Sequence, residues 1–329
     1  MFDPGNRCRL NTIPGIGSDR ENRDHAEGTH GFLIFQNRSL YHFLGSKRNL
    51  PDKGMQMIDE PGFPKGMLFF LILTALLFMT GCSSDHDDSD AIPESLALDI
   101  PALYSTVDTI TVLVAHEPEA EPFTGTIHRD IPCWSVLKSN IEALFEGRAL
   151  EPDVYVPSAL SEMGEIPLQE QDTWTSEEIL GLARDVWDAN PSSYEAEFFV
   201  LFLKGYFERE GAPDYQIIGV SIVGTPVIAI FKDIVLSSSF IPQVARFVEQ
   251  ATLVHEFGHV MGLVNNGVPM VSDHLDPEHP RHCTNNRCVM YWVNEGASDM
   301  TEFVGQMIDS DSVVMFDEQC LEDTRSYIP

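Results

Sequence analysis

The stretch PQVARFVEQATLVHEFGHVMG, residues 242–262, decides how this chain folds. Apolar residues recur along it at helical spacing, and Pro242 stands where the first turn of a helix accepts a proline. The apolar positions are Val244, Phe247, Val248, Ala251 and Val254. His255 and His259 are one helical turn apart on one face, close enough for both imidazoles to reach a single metal ion. The stretch therefore predicts a long helix that carries a metal-binding pair.

Glu256 follows the first histidine of this pair, so its side chain points beside a bound metal ion rather than at it. A carboxylate there can take a proton from a zinc-bound water and return it to a leaving amine, while zinc lowers the pKa of that water toward ~7. The residues predict a zinc-dependent metalloendopeptidase with His255 and His259 as ligands and Glu256 as general base and then acid. Two alternatives stay open, namely a surface pair of histidines and an envelope lipoprotein that binds zinc without turnover.

HEFGHVMG resembles the first part of the metzincin signature HExxHxxGxxH, which is followed later in the chain by a Met-turn. Gly262 matches the glycine at which the helix of that family bends. Asn265 stands where the signature has its third histidine, and asparagine is a poor zinc ligand. Asn265-Asn266-Gly267 is instead predicted to form a left-handed helix C-cap.

HCTNNRCVM, residues 282–290, resembles the archaemetzincin pattern, in which the third histidine is followed by Cys, four residues, Cys, one residue and the Met-turn methionine. The resemblance runs from about Leu253 to Met290. It implies that an insertion has displaced the third ligand, that His282 coordinates the zinc ion and that Met290 forms a hydrophobic floor. Archaemetzincins continue with a Cys-x-x-Cys for a second metal, which this chain lacks, so one Zn²⁺ is expected.

Other residues compete for the third ligand position. His274 could coordinate zinc with Asp276 as an outer acceptor, and His279 is close to it in the sequence. The segment NEGASD, which contains Glu295, resembles the gluzincin segment N-E-x-x-S-D, whose glutamate is the third ligand. A carboxylate is an acceptable zinc ligand, so a gluzincin-type peptidase is the alternative subclass. Otherwise Ser298 is predicted to cap the helix that follows.

The remaining pattern predicts a mixture of strands and helices. Strands are predicted at residues 109–115, 153–156, 198–203, 217–223 and 227–231, and helices at residues 134–145 and after Ser176 as N-cap. This order indicates an α/β sandwich. The resemblance implies a zincin-like α/β (α+β) fold with a twisted mixed sheet packed on helices, a long active-site helix and a C-terminal subdomain carrying the Met-turn. As in metzincins, a substrate strand is expected to pair with the sheet edge formed by Val227–Phe231.

The apolar run MLFFLILTALLFMTGC, residues 67–82, follows Lys65 and precedes the acidic stretch SSDHDDSD. Its apolar part, about 15 residues, is short for a membrane-spanning helix, which needs roughly 20, and suits a signal-peptide core. The end of the run resembles the lipobox of bacterial lipoproteins, in which the cysteine is diacylated. Cys82 is therefore the predicted lipidation site, and the protein is expected to be exported and anchored to a membrane of the bacterial cell envelope.

These signals divide the chain into four parts. Residues 1–66 are interpreted as a disordered or mis-assigned N-terminal extension, since translation is expected to start near Met55, Met57 or Met67; the alternative is a genuine cytoplasmic extension. Residues 67–81 are the predicted signal peptide and residues 82–95 an acidic tether. Residues 96–329 form the predicted metallopeptidase domain.

Four cysteines remain after Cys82: Cys133, Cys283, Cys288 and Cys320. In an oxidising envelope they could form up to two disulfides in three possible pairings. Cys283 with Cys288 is preferred because they are close in sequence, which leaves Cys133 with Cys320. A second zinc ion held by thiolates is the less favoured alternative, because no further Cys-x-x-Cys pair follows.

The charge of the chain is strongly negative, with 51 acidic against 20 basic residues. Most of the acidic excess falls after Cys82, so phosphate backbones are repelled and nucleic acid is not expected as a partner. The expected partners are a protein or peptide substrate and, through the lipid, a membrane.

Overall fold

The computed structural model describes residues 96–189, 191–308, 310 and 312–329, and these described residues form one compact unit. The predicted N-terminal extension, signal peptide, Cys82 and acidic tether lie outside the described residues. No helix in the described part of the chain combines the length and apolar character needed to cross a membrane.

The described residues form nine strands and seven α-helices. The strands are β1 (Thr109–His116), β2 (Asp153–Tyr155), β3 (Gly164–Glu165), β4 (Thr173–Trp174), β5 (Glu195–Leu203), β6 (Tyr206–Arg209), β7 (Ala212–Asp214), β8 (Gly219–Ser221) and β9 (Val227–Phe231). The helices are α1 (Ile100–Ser105), α2 (Cys133–Phe145), α3 (Ser176–Val186), α4 (Lys232–Ser238), α5 (Pro242–Val260), α6 (Ala297–Ile308) and α7 (Glu318–Ser326). The chain is therefore a mixed α/β protein, as predicted.

A mixed six-stranded sheet lies at the centre. Five of its strands follow the order β2-β1-β5-β9-β8. The sixth, β3, pairs with the last two residues of β1, on the same side as β2. β1, β2, β3, β5 and β9 are parallel, and β8 is antiparallel to β9. Residues 198–203 of β5 and all of β9 are buried, which explains their continuous apolar sequence, because central parallel strands are covered on both faces.

The prediction that Val227–Phe231 forms the edge of the sheet is wrong. This strand, β9, lies between β5 and β8, and each of its five residues is buried. The chain reverses direction at Gly224, between β8 and β9, where a φ of +75° suits glycine. As a result, β8 pairs antiparallel with β9 and covers its outer side. The edge is therefore β8, which covers only Gly219–Ser221 of the longer strand predicted at residues 217–223.

A second, smaller sheet has the order β4-β6-β7. β4 runs parallel to β6, and β6 and β7 form a hairpin in which Phe207 lies opposite Asp214. Phe207 and Arg209 of this hairpin line the cleft that contains the metal-site candidates. The small sheet therefore supplies one wall of that cleft.

Helix α5 is buried on every side along much of its length, from Phe247 to Gly258. It packs against α2, α4 and α6 and against β8 and β9. Glu249 on this helix forms a buried ion pair with Lys232 of α4, whose Nζ lies 3.5 Å above the ring centroid of Phe123. Burial lowers the pKa of Lys232 and raises that of Glu249, and the pairing opposes both shifts.

Two predicted helix starts are displaced by one residue or more. Thr175, not Ser176, caps α3, because its Oγ1 accepts from the Glu178 N–H at 3.2 Å while Glu178 Oε2 accepts from the Thr175 N–H at 2.8 Å. Helix α6 begins at Ala297, so Ser298 lies inside its first turn rather than at its cap. In both segments more than one residue can start the helix, namely Thr175 or Ser176 for α3 and the residues around Ser298 for α6. Sequence patterns place such a boundary only to within one or two residues.

Candidate active site

Three histidine rings converge at the C-terminal end of α5. His255 and His259 come from the helix and His282 from the loop that follows. The ring centroid of His259 lies 4.9 Å from that of His255 and 4.9 Å from that of His282, and the centroids of His255 and His282 are 5.4 Å apart. The Nε2 atoms of His255 and His259 face each other at 3.2 Å. One carboxylate, that of Glu295, joins them, so that all four ligand atoms lie within 4.8 Å of one another.

Backbone carbonyl groups orient two of these rings. His255 Nδ1 lies 2.7 Å from the carbonyl oxygen of Val289, and His282 Nδ1 lies 3.1 Å from that of Pro280. A carbonyl oxygen only accepts, so Nδ1 carries the proton and the lone pair of each neutral ring is on Nε2. Carbonyl groups that hold ligand histidines in this way are typical of metal sites.

Burial keeps the ligand rings neutral. It lowers the pKa of His255 to about 4, with a further contribution from the nearby His282, and it lowers the pKa of His259 well below its usual range. Neutral imidazole is the form that binds metal. Three imidazoles with one adjacent carboxylate fit the ligand chemistry of Zn²⁺.

The buried carboxyl group of Glu256 lies beside this cluster and is only 5% exposed. Burial, together with the charge of Glu295, raises its pKa to about 8, whereas hydrogen bonds from Ser221 oppose the rise. Ser221 belongs to the edge strand β8. A Cβ at Gly219 of the same strand would lie 3.2 Å from Glu256 Cγ, so glycine allows the strand to approach the glutamate closely.

An open cleft of about 350 Å³ contains the site. It is lined by Phe207, Arg209, Ile217, Gly219, Val220, Ser221, Glu256, His259, Pro280, Arg281, His282 and Glu295. The cleft thus brings together the general-base candidate, two of the three histidines and the free edge of the central sheet. We call it the metal cleft.

Two of the competing histidines lie elsewhere. Asp323, and not the predicted Asp276, pairs with His274: its Oδ2 lies 2.7 Å from Nε2 in a fully buried contact. His279 stacks on Trp292 with ring centroids 3.8 Å apart. Neither histidine belongs to the group that contains His255 and His259.

Met290 is fully buried beneath the histidine-bearing turn of α5. A Cβ at Gly258, between the two helix histidines, would lie 2.2 Å from Met290 Sδ and 3.1 Å from Phe316 Cε1. Gly258 therefore admits Met290 against the helix. This role is not among the predictions made from the sequence, although a glycine inside a strongly predicted helix signals close packing.

The helix ends earlier than predicted. Residue Val260 is the last of α5, and Gly262 follows with a φ of +83°. The N–H of Gly262 donates to the His259 carbonyl at 3.1 Å, and the Asn266 side-chain amide donates to the same oxygen at 2.8 Å. Asn265 is left-handed at φ +61°, but it lies beyond the helix end, so the predicted C-cap at residues 265–267 is wrong.

The cysteines form a second cluster instead of disulfides. Cys133, Cys283, Cys288 and Cys320 are all free and buried. The thiols of Cys283, Cys288 and Cys320 and a carboxylate oxygen of Asp317 lie within 4.8 Å of one another. Cys288 Sγ and Cys320 Sγ are 3.6 Å apart, well beyond a disulfide bond. The predicted pairings of Cys283 with Cys288 and of Cys133 with Cys320 are not found.

Several donors surround the sulfur atoms of this second cluster. The N–H groups of Asn285 and Asp317 each donate at 3.4 Å, to Cys283 and Cys288 respectively. His274 Nδ1 lies 3.4 Å from Cys283 Sγ. Hydrogen bonds from the thiols of Cys288 and Cys320 lower the pKa of Cys283, and His274 adds to the shift. Burial and the hydrogen bonds with Cys283 raise the pKa of Cys288 and Cys320, so these donors favour the thiolate, the form that binds metal, at Cys283.

Comparison with protein families and with curated proteins yields no match to this chain. Among solved structures, the chain is similar to the crystal structure of a zinc-dependent peptidase from Methanocorpusculum labreanum (strain Z). The two share 14% identity at a TM-score of 0.37, over 65% of this chain and 99% of that chain. A similarity this small carries no weight for function, which is inferred below from the geometry of the site.

Proposed function

We propose that the protein is a zinc metalloendopeptidase that hydrolyses peptide bonds of protein or peptide substrates. One observation carries the proposal: the rings of His255, His259 and His282 converge beside the buried carboxyl group of Glu256 in an open cleft. A binding site alone would require no general base at this position.

The three histidines are the proposed zinc ligands, and a bound zinc ion would act as a Lewis acid on water and on the scissile carbonyl. His282 is preferred to Glu295 as third ligand because its ring is buried and oriented by Pro280, whereas the side chain of Glu295 is 44% exposed. Glu295 Oε1 lies 3.1 Å from His282 Nε2 and is the alternative ligand. Three protein ligands leave a position open, as catalytic zinc sites do.

Glu256 is proposed to accept a proton from the attacking water and to deliver it to the leaving amine. Its raised pKa, about 8, favours proton transfer in both directions near neutral pH. Ser221, which also lines the cleft, donates hydrogen bonds to this carboxyl group. Glu256 therefore moves the proton, while the histidines hold the metal.

The substrate is proposed to lie along β8, which replaces the edge predicted at Val227–Phe231. One side of β8 pairs with β9, and the other side borders the metal cleft. An extended peptide can add to such an edge through main-chain hydrogen bonds. This arrangement would place the scissile bond beside Glu256.

The thiol cluster is proposed to hold a second, structural zinc ion. Cys283, Cys288 and Cys320 would supply three thiolates, with Asp317 or His274 as the fourth ligand. A four-ligand set built mainly from buried cysteines is typical of structural zinc. Because Cys283 follows His282 directly, this ion would tie the ligand loop to α7.

Cys82 is proposed to carry the lipid anchor, on the evidence of the lipobox-like sequence. The protein would then partition with membranes of the cell envelope, and Cys82→Ser would release it. Membrane association that survives this change would contradict the proposal, as would residues before Met55 in the mature protein.

The central test measures zinc content and cleavage of an unfolded protein on the same samples. Glu256→Gln is expected to retain zinc and lose cleavage, because the side chain transfers a proton and does not bind the metal. His282→Ala is expected to lose the zinc ion of the metal cleft, while Glu295→Ala tests the rival ligand of that site. Full cleavage by Glu256→Gln, or a zinc-loaded wild type that cleaves nothing, would refute the peptidase.

A further inference from the structure

The metal cleft continues into a second cavity of about 230 Å³, which we call the side cleft. Ser221, His259 and Arg281 line both cavities, and the side cleft extends along the chain after β8 to Ile222 and Val223. A peptide that follows β8 from one cavity into the other therefore passes Arg281 close to the proposed metal.

The backbone of Arg281 has a conformation that favours glycine. Its φ is +69°, in the left-handed region that L side chains rarely adopt. Hydrogen bonds hold the loop on both sides, from the His282 ring to Pro280 and from the Asp276 N–H to the His282 carbonyl at 2.8 Å. Residues whose backbone is held in such a sparsely populated conformation concentrate at functional sites. The conformation presents the arginine at the border of the two cavities.

No acidic side chain in the described part of the protein neutralises the charge of Arg281. Its side chain is exposed, and no carboxylate among the described residues forms an ion pair with it. Arg209, the other arginine that lines the metal cleft, is by contrast paired with Asp214. The guanidinium group is thus available for an acidic group of a ligand.

We propose that Arg281 is a specificity residue that binds a carboxylate side chain of the substrate within two residues of the scissile bond. The inference rests on the proposed peptidase function and names its substrate class: peptides with Glu or Asp beside the cleaved bond. The guanidinium group presents a planar fork that matches a carboxylate, and a charge-assisted hydrogen bond of this kind is among the stronger polar contacts. The negative charge of the whole chain makes a local cation more important for holding an acidic peptide.

The test compares zinc-loaded full-length protein with its variants on matched peptides. The peptides carry Glu, Gln or Lys at each position from two residues before to two residues after the cleaved bond. We expect the wild type to prefer Glu over Gln by about tenfold in kcat/KM at one or more of these positions. Arg281→Gln should bring that ratio close to one, and Arg281→Glu should favour Lys.

Two variants control for indirect effects. Arg281→Gly relieves the left-handed strain, so it should fold at least as well as the wild type and still lose the preference for Glu. Arg287→Gln removes an exposed arginine from the same loop that lines neither cavity, so it should leave the Glu/Gln ratio unchanged.

A binding experiment separates this inference from the peptidase proposal. Anisotropy titrations of the Glu and Gln peptides onto the Glu256→Gln variant, with and without Arg281→Gln, measure the same selectivity without turnover. If the wild type cleaves no peptide but Arg281 still discriminates in binding, the peptidase proposal fails and the role of Arg281 stands. If the wild type does not prefer Glu, or if Arg281→Gln keeps the preference, the role of Arg281 is refuted.

Discussion

Replacement of Gly258 by alanine should destabilise the protein, although alanine is normally the better helix residue. The added Cβ would lie 2.2 Å from Met290 Sδ and 3.1 Å from Phe316 Cε1, and both side chains are buried. Such overpacking typically costs about 1–3 kcal/mol of stability. The upper end applies here because the contact with Met290 is a severe clash and the contact with Phe316 is also tight. Alanine returns about 1 kcal/mol of helix propensity, so the net loss is about 2 kcal/mol.

The displacement of Met290 should also reach the metal site. Its carbonyl oxygen accepts from the Cys283 N–H at 2.7 Å, and the preceding carbonyl of Val289 accepts from the ligand His255 at 2.7 Å. We therefore expect Gly258→Ala to weaken zinc binding as well as to lower the melting temperature. A loss of about 2 kcal/mol corresponds to a decrease of roughly 4–8 °C for a domain of this size.

Gly305 provides the matched control, because it also lies inside a helix, α6, but a Cβ there would meet nothing within 4 Å. Gly305→Ala should raise the stability by roughly 0.5–1 kcal/mol. Thermal unfolding and zinc content are measured on both variants. In a Met290→Ala background, Gly258→Ala should cost less, because the clash is removed. If Gly258→Ala raises the melting temperature as Gly305→Ala does and keeps full zinc, the packing of Met290 against α5 is refuted.

Three further predictions test the fold around the site. Glu249→Ala leaves Lys232 buried without its acidic partner. It should therefore reduce the free energy of unfolding, measured by denaturant titration, by about 3–5 kcal/mol. A loss below about 1 kcal/mol would contradict the buried pair. Gly219→Ala places a Cβ 2.8 Å from Thr252 Cγ2 of α5, so it should push β8 away from the helix. The variant should have a lower kcat/KM and an unchanged circular dichroism spectrum. Unaltered activity would count against β8 as the substrate edge. Thr175→Ala should cost about 1 kcal/mol in thermal unfolding and Ser176→Ala much less, and the reverse order would restore Ser176 as the cap.

Local patterns were sufficient to predict several elements of this protein. The periodicity of residues 242–262, with a proline at the start, predicts α5 because a helix is stabilised by contacts three and four residues apart. The apolar runs that became β1, β5 and β9 were recognised for a similar reason, since β-branched and aromatic residues favour extended backbone. The pairing of His255 with His259 follows from helix geometry alone.

Contacts between distant segments could not be predicted in the same way. Which strand forms the sheet edge depends on where the chain turns back at Gly224, and the hydrophobicity of β9 is compatible with an edge or a central position. The third histidine depends on how the loop after α5 closes, which brings His282 to the metal cleft and carries His274 to Asp323. Sequence spacing does not determine that closure.

The cysteines show the same division most clearly. The sequence by itself determined that Cys283 and Cys288 are close to each other and next to His282, and this proximity suggested a disulfide. Only the tertiary structure brings Cys320 and Asp317 of the α7 region to them, and in the resulting group the thiols of Cys288 and Cys320 are 3.6 Å apart and not bonded to each other. The physical reason is that a helix or strand is selected by neighbours along the chain, whereas a ligand set is selected by the packing of segments that are far apart in sequence.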